Sequence, residues 1–184
     1  MEVWDEIAAD SEAGARRLVA EFGDRLFRVA IALCGDEHMA EDLVFRTFER
    51  TIQKIGRFDA KMSFWNWMYA IMHNIFISDM RKCRAEVAAD VEWFEAVAER
   101  GWQPPDTNQL AQVDANLLRR IVKSLPPDFR EVVVLRYFED KTLDEMSRIM
   151  SVPIGTLKWR LHRARRHLFA MLKKTFEINN GGKK

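Results

Sequence analysis

"TLDEMSRIMSVPIGTLKWRLHRARRHL", Thr142 to Leu168, is the stretch that decides the fold. It holds two amphipathic segments separated by a short break. Thr142 and Glu145 form a capping-box pair that opens the first segment, and Leu143, Met146, Ile149 and Met150 supply its packing stripe. Ser147 is small where the two helices must approach closely. Pro153 suits the first turn of the second segment, where its missing N–H costs little. At roughly 100° per residue, Leu157, Leu161, Ala164 and Leu168 share one face. Trp159, His162, Arg163 and Arg166 then point the opposite way, with Lys158, Arg160, Arg165 and His167 on the flanks. A helix, a tight turn and a second helix with a basic outer side are the parts of a helix-turn-helix, whose second helix enters the DNA major groove. A basic run alone is more often a solvated face. The preceding helix and turn shift the balance to DNA, although protein-binding folds use the same pattern.

The concentration of charge here matters because the whole chain, with 29 basic and 28 acidic residues in 184, carries a net charge of only +1. A uniformly cationic coat is excluded, and the local distribution is the informative quantity. A hydrophobic content of 48% is enough to build one large core or two small ones. No apolar run approaches the roughly 20 residues of a spanning helix. Even "FWNWMYAIMHNIFISDM" is interrupted by Asn66, His73, Asn74 and Asp79. Cys34 and Cys83 lie far apart without CxxC spacing, and the N-terminus "MEVWDEIAAD" is acidic without a signal-peptide core. The expectation is a protein of the reducing cytoplasm, with no membrane insertion.

Helical periodicity dominates and no stretch alternates like a strand, so an all-α fold is expected. A first block reads as helices near 15–34, 38–55 and 63–84, with Gly35 as a C-terminal stop and Ser63 as an N-cap. A second block reads as short helices near 115–124, 128–139, 142–150 and 153–176, the first pair separated by Pro126 and Pro127. Between them, Glu86, Asp90, Glu92, Glu95, Glu99, Asp106 and Asp114 face the single base Arg100. The expected architecture is two small helical domains joined by a flexible acidic linker, the second a four-helix helix-turn-helix domain. Its divisions are 1–85, linker 86–114, 115–176 and a disordered tail over 177–184. At about 1.5 Å per residue where helical and about 3.3 Å elsewhere, the linker reaches at most about 70 Å. Two turns of DNA are of the same order, at roughly 34–36 Å each.

The stretch "SFWNWMYAIMHNIFISDMRK", Ser63 to Lys82, is apolar on more than one side. Phe64, Trp67, Ile71 and Ile75 share one face, and Trp65, Tyr69, Met72, Phe76 and Met80 spread over the other. The default for such a segment is a buried central helix, with Asn74 as a satisfied core polar group. His73 has no obvious metal partner, and the spacing of Cys34 and His38 does not define a site. No Ser/His/Asp, Cys/His, metal-ligand or phosphate-loop arrangement appears at a spacing that supports chemistry, so neither a catalytic centre, a cofactor nor a small-molecule substrate is expected.

"LPPDFREVVVLRYFEDKTLDEMSRIMSVPIGTLKWRLHRARRHL" closely resembles the C-terminal promoter-binding domain of extracytoplasmic-function sigma factors. Leu125-Pro126, Arg130-Glu131, Leu135-Arg136-Tyr137, Gly155-Thr156 and Arg160-Leu161-x-Arg163-Ala164-Arg165 carry the likeness. The resemblance implies that Thr156, Lys158, Arg160 and Arg163 read a minus-thirty-five element, beside the outward Trp159, His162 and Arg166. Ser151 stands where the family usually has glycine, which implies a left-handed residue at a cost of about 1–2 kcal/mol. Trp159 replaces a typically small polar residue; it meets thymine methyls or sugars, or else a protein partner.

"AEDLV" from Ala40, "GRFD" from Gly56 and the aromatic segment resemble the same family's N-terminal domain, which binds polymerase and the minus-ten element. Phe64, Trp67, Ile71, Asn74, Asp79 and Arg81 occupy matching places. The family's base-capturing loop maps to 56–62, with Arg57 and Lys61 available for phosphates. Aromatic platforms such as Phe64 and Trp65 beside basic residues suit the lodging of unpaired bases. The implied polymerase-binding surface lies on "AEDLVFRTFER", with Asp42, Phe45, Arg46 and Glu49. Phe45 and Arg46 depart from the family's glutamine and acidic residue, and core packing beside Phe48 is an equal reading for Phe45.

The function implied is that of an accessory subunit directing core RNA polymerase to specific promoters and assisting their melting. Core polymerase, promoter DNA and an anti-sigma factor are the implied partners. Two modules on a loose tether are not held at promoter spacing, so polymerase is expected to set it, with the acidic linker in a basic polymerase channel. The rivals are a standalone helix-turn-helix regulator, which predicts symmetric half-sites and a dimer, and a sigma-like mimic that binds regulatory proteins. Lys158, Arg160, Arg163 and Arg166 disfavour the mimic, whereas Phe45, Arg46 and Trp159 mildly favour it.

Overall fold

The computed structural model describes residues 2–9, 11–86 and 115–181, all helical or in short connections between helices. The expected acidic linker, apart from Glu86, lies outside the described residues. The N-terminal half contains α1 (Val3–Ala9), α2 (Ser11–Cys34), α3 (Glu37–Lys54) and α4 (Phe64–Glu86), and a single 3-10 turn (Ile55–Arg57) follows α3. The C-terminal half contains α5 (Ala115–Lys123), α6 (Pro127–Val133) running into a wide turn (Val134–Phe138), α7 (Leu143–Met150) and α8 (Ile154–Gly181).

Two differences from the sequence reading concern the ends. The acidic N-terminus forms α1, whose buried Val3 and Ile7 lie against α2. Its Trp4 joins a ring cluster with Phe58 and Phe64, at centroid distances of 5.1 and 5.6 Å. At the other end α8 continues to Gly181, so most of the stretch expected as a loose tail is helical backbone.

The helix α2 buries Leu18, Leu26, Val29, Ala30 and Leu33 and ends where Gly35 takes a φ of +67°. Burial of its neighbour Cys34 pushes that thiol up to about 11. Asp36 then caps α3, accepting from the Met39 amide at 3.0 Å. Where α3 packs on α2, Thr47 and Thr51 are fully buried, and each hydroxyl donates to a carbonyl one turn back, at 2.6 and 2.8 Å. The helix α4 is wide in its burial because it is covered twice: by α3 on one side and by α7 of the C-terminal half on another. Phe64, Trp65, Met68, Tyr69, Met72 and Phe76 are all inside.

In the C-terminal half the helix-turn-helix is built as its residues specify. The Thr142 hydroxyl accepts from the Glu145 amide at 3.2 Å, while the Glu145 carboxylate accepts from the Thr142 amide at 2.9 Å. Ser151 is left-handed (φ 55°, ψ 39°), and the Ser147 hydroxyl donates to the Val152 carbonyl at 2.8 Å, closing the turn. Leu157, Leu161 and Ala164 are buried, and Leu168 packs partly buried against Val122, Leu125 and Val133.

The two halves are in direct contact and share one apolar cluster, in which Met146, Ile149, Met150 and Leu157 join residues of α2 and α4. Polar contacts fix the register. One Glu139 oxygen accepts from the Arg25 guanidinium at 2.7 Å and from the Trp65 indole N–H at 2.9 Å, with Arg25 stacked 4.1 Å over the Trp65 ring. Glu131, fully buried, meets His73 Nδ1 at 2.5 Å. Arg130 donates to the Leu33 carbonyl and to those of Lys123 and Leu125. A Cβ on Gly35 would lie 2.5 Å from the Lys123 side chain, so the same glycine serves both the left-handed turn and the close approach of α5.

Candidate nucleic-acid and polymerase interface

The outer side of α8 is held in place by the buried seam opposite it. Lys158, Trp159 and His162 are exposed there, and Thr156, Arg163 and Arg166 are half-buried. Trp159 leaves 51% of its surface in solvent. Its ring lies 5.6 Å from Phe129 of α6, and the Arg163 guanidinium sits 5.5 Å from the ring centre. Arg160 is turned back toward α6, 3.7 Å from the Asp128 carboxylate, with only 20% of its side chain exposed. Arg165 donates to the Tyr137 hydroxyl at 2.6 Å. His167, placed on a flank by the helical wheel, is instead buried at 3% exposure. The reason is that α8 is packed by α5, α6 and α7 over more than one stripe. Burial lowers the His167 pKa and holds the ring neutral.

In the N-terminal half Arg57 and Lys61 are exposed in the turn and loop between α3 and α4, and the Lys61 amide donates to Asp59 at 3.0 Å. Asn74 is exposed rather than in the core, its amide donating to the Ala70 carbonyl at 2.8 Å. Asn74 and Arg81 line a groove of about 540 Å³ with Lys82, Ile77 and Met150, where α4 meets the end of α7. Phe64 and Trp65, read from sequence as base platforms, are each 5% exposed in this arrangement. Phe64 is enclosed by Trp4, Phe22, Phe58 and Trp67, and Trp65 lies under Arg25 and Glu139.

On α3, Phe45 is 70% exposed, which decides against core packing. Asp42 and Glu49 are exposed beside it. Arg46 is bidentate to Asp79 of α4 at 2.7 and 3.1 Å and also reaches Asp42 at 2.9 Å. Those bonds, to Asp79 first and then Asp42, raise its pKa further and keep it charged. Arg46 therefore ties α3 to α4 and leaves Phe45 as the prominent apolar group of that face.

The interfacial pair escaped the sequence reading. Burial pushes the Glu131 carboxyl above the ordinary carboxylate range, against the opposing pull of His73. The available signal was a carboxylate inside the apolar run "REVVVLRYF".

Family models match both halves of the chain: sigma-70 region 2 over residues 18–86 and sigma-70 region 4 over residues 115–168. The chain is 33% identical over 144 residues to the ECF RNA polymerase sigma factor EcfG of Rhodopseudomonas palustris, covering 78% of this chain and 76% of that protein. The chain belongs to the ECF sigma factor family. It is also 29% identical over 164 residues to the ECF RNA polymerase sigma factor SigW of Bacillus subtilis, covering 85% of this chain and 87% of that one. Among solved structures, the sigma factor RpoE in complex with the anti-sigma factor NepR, from Bartonella quintana, superimposes with a TM-score of 0.65. That match is 26% identical and covers 86% of this sigma factor and 96% of RpoE. No described helix is long and apolar enough to cross a membrane.

Proposed function

We propose that this sigma factor directs core RNA polymerase to specific promoters in the cytoplasm and assists their melting, with its residues divided among three surfaces. Thr156, Lys158, Trp159, Arg160, His162, Arg163 and Arg166 meet the minus-thirty-five element. Arg57, Lys61, Asn74 and Arg81 meet the minus-ten region, where Phe64 and Trp65 serve only after rearrangement. Asp42, Phe45, Arg46 and Glu49 form the polymerase face, with Arg46 acting through its bonds to Asp42 and Asp79. The observation that carries the reading is the outer side of α8, with Lys158, Trp159 and His162 exposed and Arg163 and Arg166 half-buried, seated on a buried seam and presented at the N-terminal turns that contact base edges in this motif.

The free chain is the closed form, in which Glu131 and Glu139 hold the halves together, Glu131 through His73 and Glu139 through Arg25 and Trp65. Core polymerase binding separates them and sets their spacing on the promoter, and the acidic linker lies in a basic polymerase channel. An anti-sigma factor, the kind of partner seen with the similar RpoE, binds this chain too. Promoter binding at matched salt tests the division of labour. The isolated chain is expected to bind promoter duplex far more weakly than reconstituted holoenzyme; equal affinity would contradict it.

A further inference from the structure

We infer that Trp159 is a specificity-determining residue that reads the C5-methyl group of a thymine in the minus-thirty-five element. The inference rests on the promoter-binding reading of α8 and names a base feature for that surface. Trp159 is the sixth residue of α8, and Thr156, Trp159 and Arg163 follow at helical spacings of three and four along the outer side. An indole with 51% of its surface in water is an uncommon occupant of a helix that buries its other side so fully. The ring does not hang loose. Phe129 supports it at 5.6 Å, and the Arg163 guanidinium is held 5.5 Å from its centre. Such support lowers the ordering entropy lost on binding.

Thymine is the base that offers a methyl group in the major groove, and apolar side chains contact it there. The Arg163 guanidinium lies beside the ring, and Lys158 and His162 are exposed on the same helix; these are groups suited to phosphates and guanine edges, which favours nucleic acid over an apolar protein surface as the occupant. A protein partner on Trp159 is the competing outcome.

The test uses holoenzyme reconstituted with core polymerase and a promoter that it selects from a library randomised over the minus-thirty-five element. Each thymine of the selected element is replaced in turn by deoxyuridine, which removes only the methyl. Wild-type holoenzyme is expected to bind about fourfold more weakly at one position, the value of a single buried methyl-sized group. Trp159→Ala holoenzyme is expected to show no such difference there, and Trp159→Phe a partial one. Circular dichroism and binding to core polymerase establish that each variant is folded. A selected element without thymine, a wild type indifferent to every methyl, or an alanine variant as methyl-sensitive as wild type would each overturn the inference. Loss of a protein partner by Trp159→Ala without change in methyl sensitivity would overturn it as well. Failure of wild-type holoenzyme to enrich any element would instead remove the promoter-binding reading on which it rests.

Discussion

Ser151 shows how far a single residue can be read. A helix-turn-helix turn needs a left-handed residue after its first helix, and the serine adopts it at φ 55°. The strain is inherent to a Cβ-bearing residue in this region. Ser151→Gly is therefore expected to stabilise the chain by about 1 kcal/mol, seen as a higher denaturant midpoint at unchanged slope. His167 shows the limit. An angle on a wheel identifies the centre of a buried stripe but not its width, which depends on how many helices pack around α8. Phe45 was ambiguous for the same reason, sitting at the edge of an apolar face, and only the fold placed it in solvent.

Among the elements, α7 depends on its capping box. The amide of Thr142, then its hydroxyl and the Asn66 amide, hold the Glu145 carboxyl down at about 2. A carboxyl with a lowered folded-state pKa contributes stability that is present above its ordinary value of 4.5 and lost as pH falls toward about 2. Glu145→Gln keeps the capping geometry without the titration. The melting-temperature difference between wild type and Glu145→Gln should therefore move against wild type between pH 5 and pH 2, about those two values, and stay flat above pH 6. Glu145→Ala should cost about 1 kcal/mol at neutral pH, measured by denaturant unfolding. The helix α4 was legible as a central helix because it is apolar on more than one side. Its second covering layer was not, because hydrophobic periodicity reports that a face is buried and not what buries it. That is why Phe64 and Trp65 read as platforms, whereas in the closed form they are core.

For the whole molecule, the sequence reading of two helical domains was sound, but it left their placement in the free chain open and expected no contact to fix it before polymerase binds. The described residues show direct packing. The signals were a carboxylate inside an apolar run, Glu131, and one directly after it, Glu139, whose partners Arg25, Trp65 and His73 lie far away in sequence. Glu139→Ala removes the acceptor that Arg25 and Trp65 share. Losing such a charge-assisted network costs about 1.5–3 kcal/mol, on the order of tenfold to a hundredfold in the ratio of closed to open chains. Small-angle scattering should then show a larger radius of gyration, and core polymerase should bind the variant more tightly. An unchanged radius and affinity would mean that the halves do not depend on this contact. The seam of α8 and the row opposite it, Trp159, His162, Arg163 and Arg166, were legible because one buried stripe fixes the outward direction; the half-burial of Arg163 and Arg166 and the turn of Arg160 toward Asp128 were not.

That row makes the central claim testable in one measurement: promoter-specific initiation by core polymerase reconstituted with wild-type chain or with Arg163→Ala. Loss of one base-reading arginine is worth about 1–3 kcal/mol, so initiation from the selected promoter should fall by roughly fivefold to 150-fold while the melting temperature stays unchanged. A wild-type chain that gives no promoter-specific initiation, or a folded Arg163→Ala chain that initiates as well as wild type, would contradict the account.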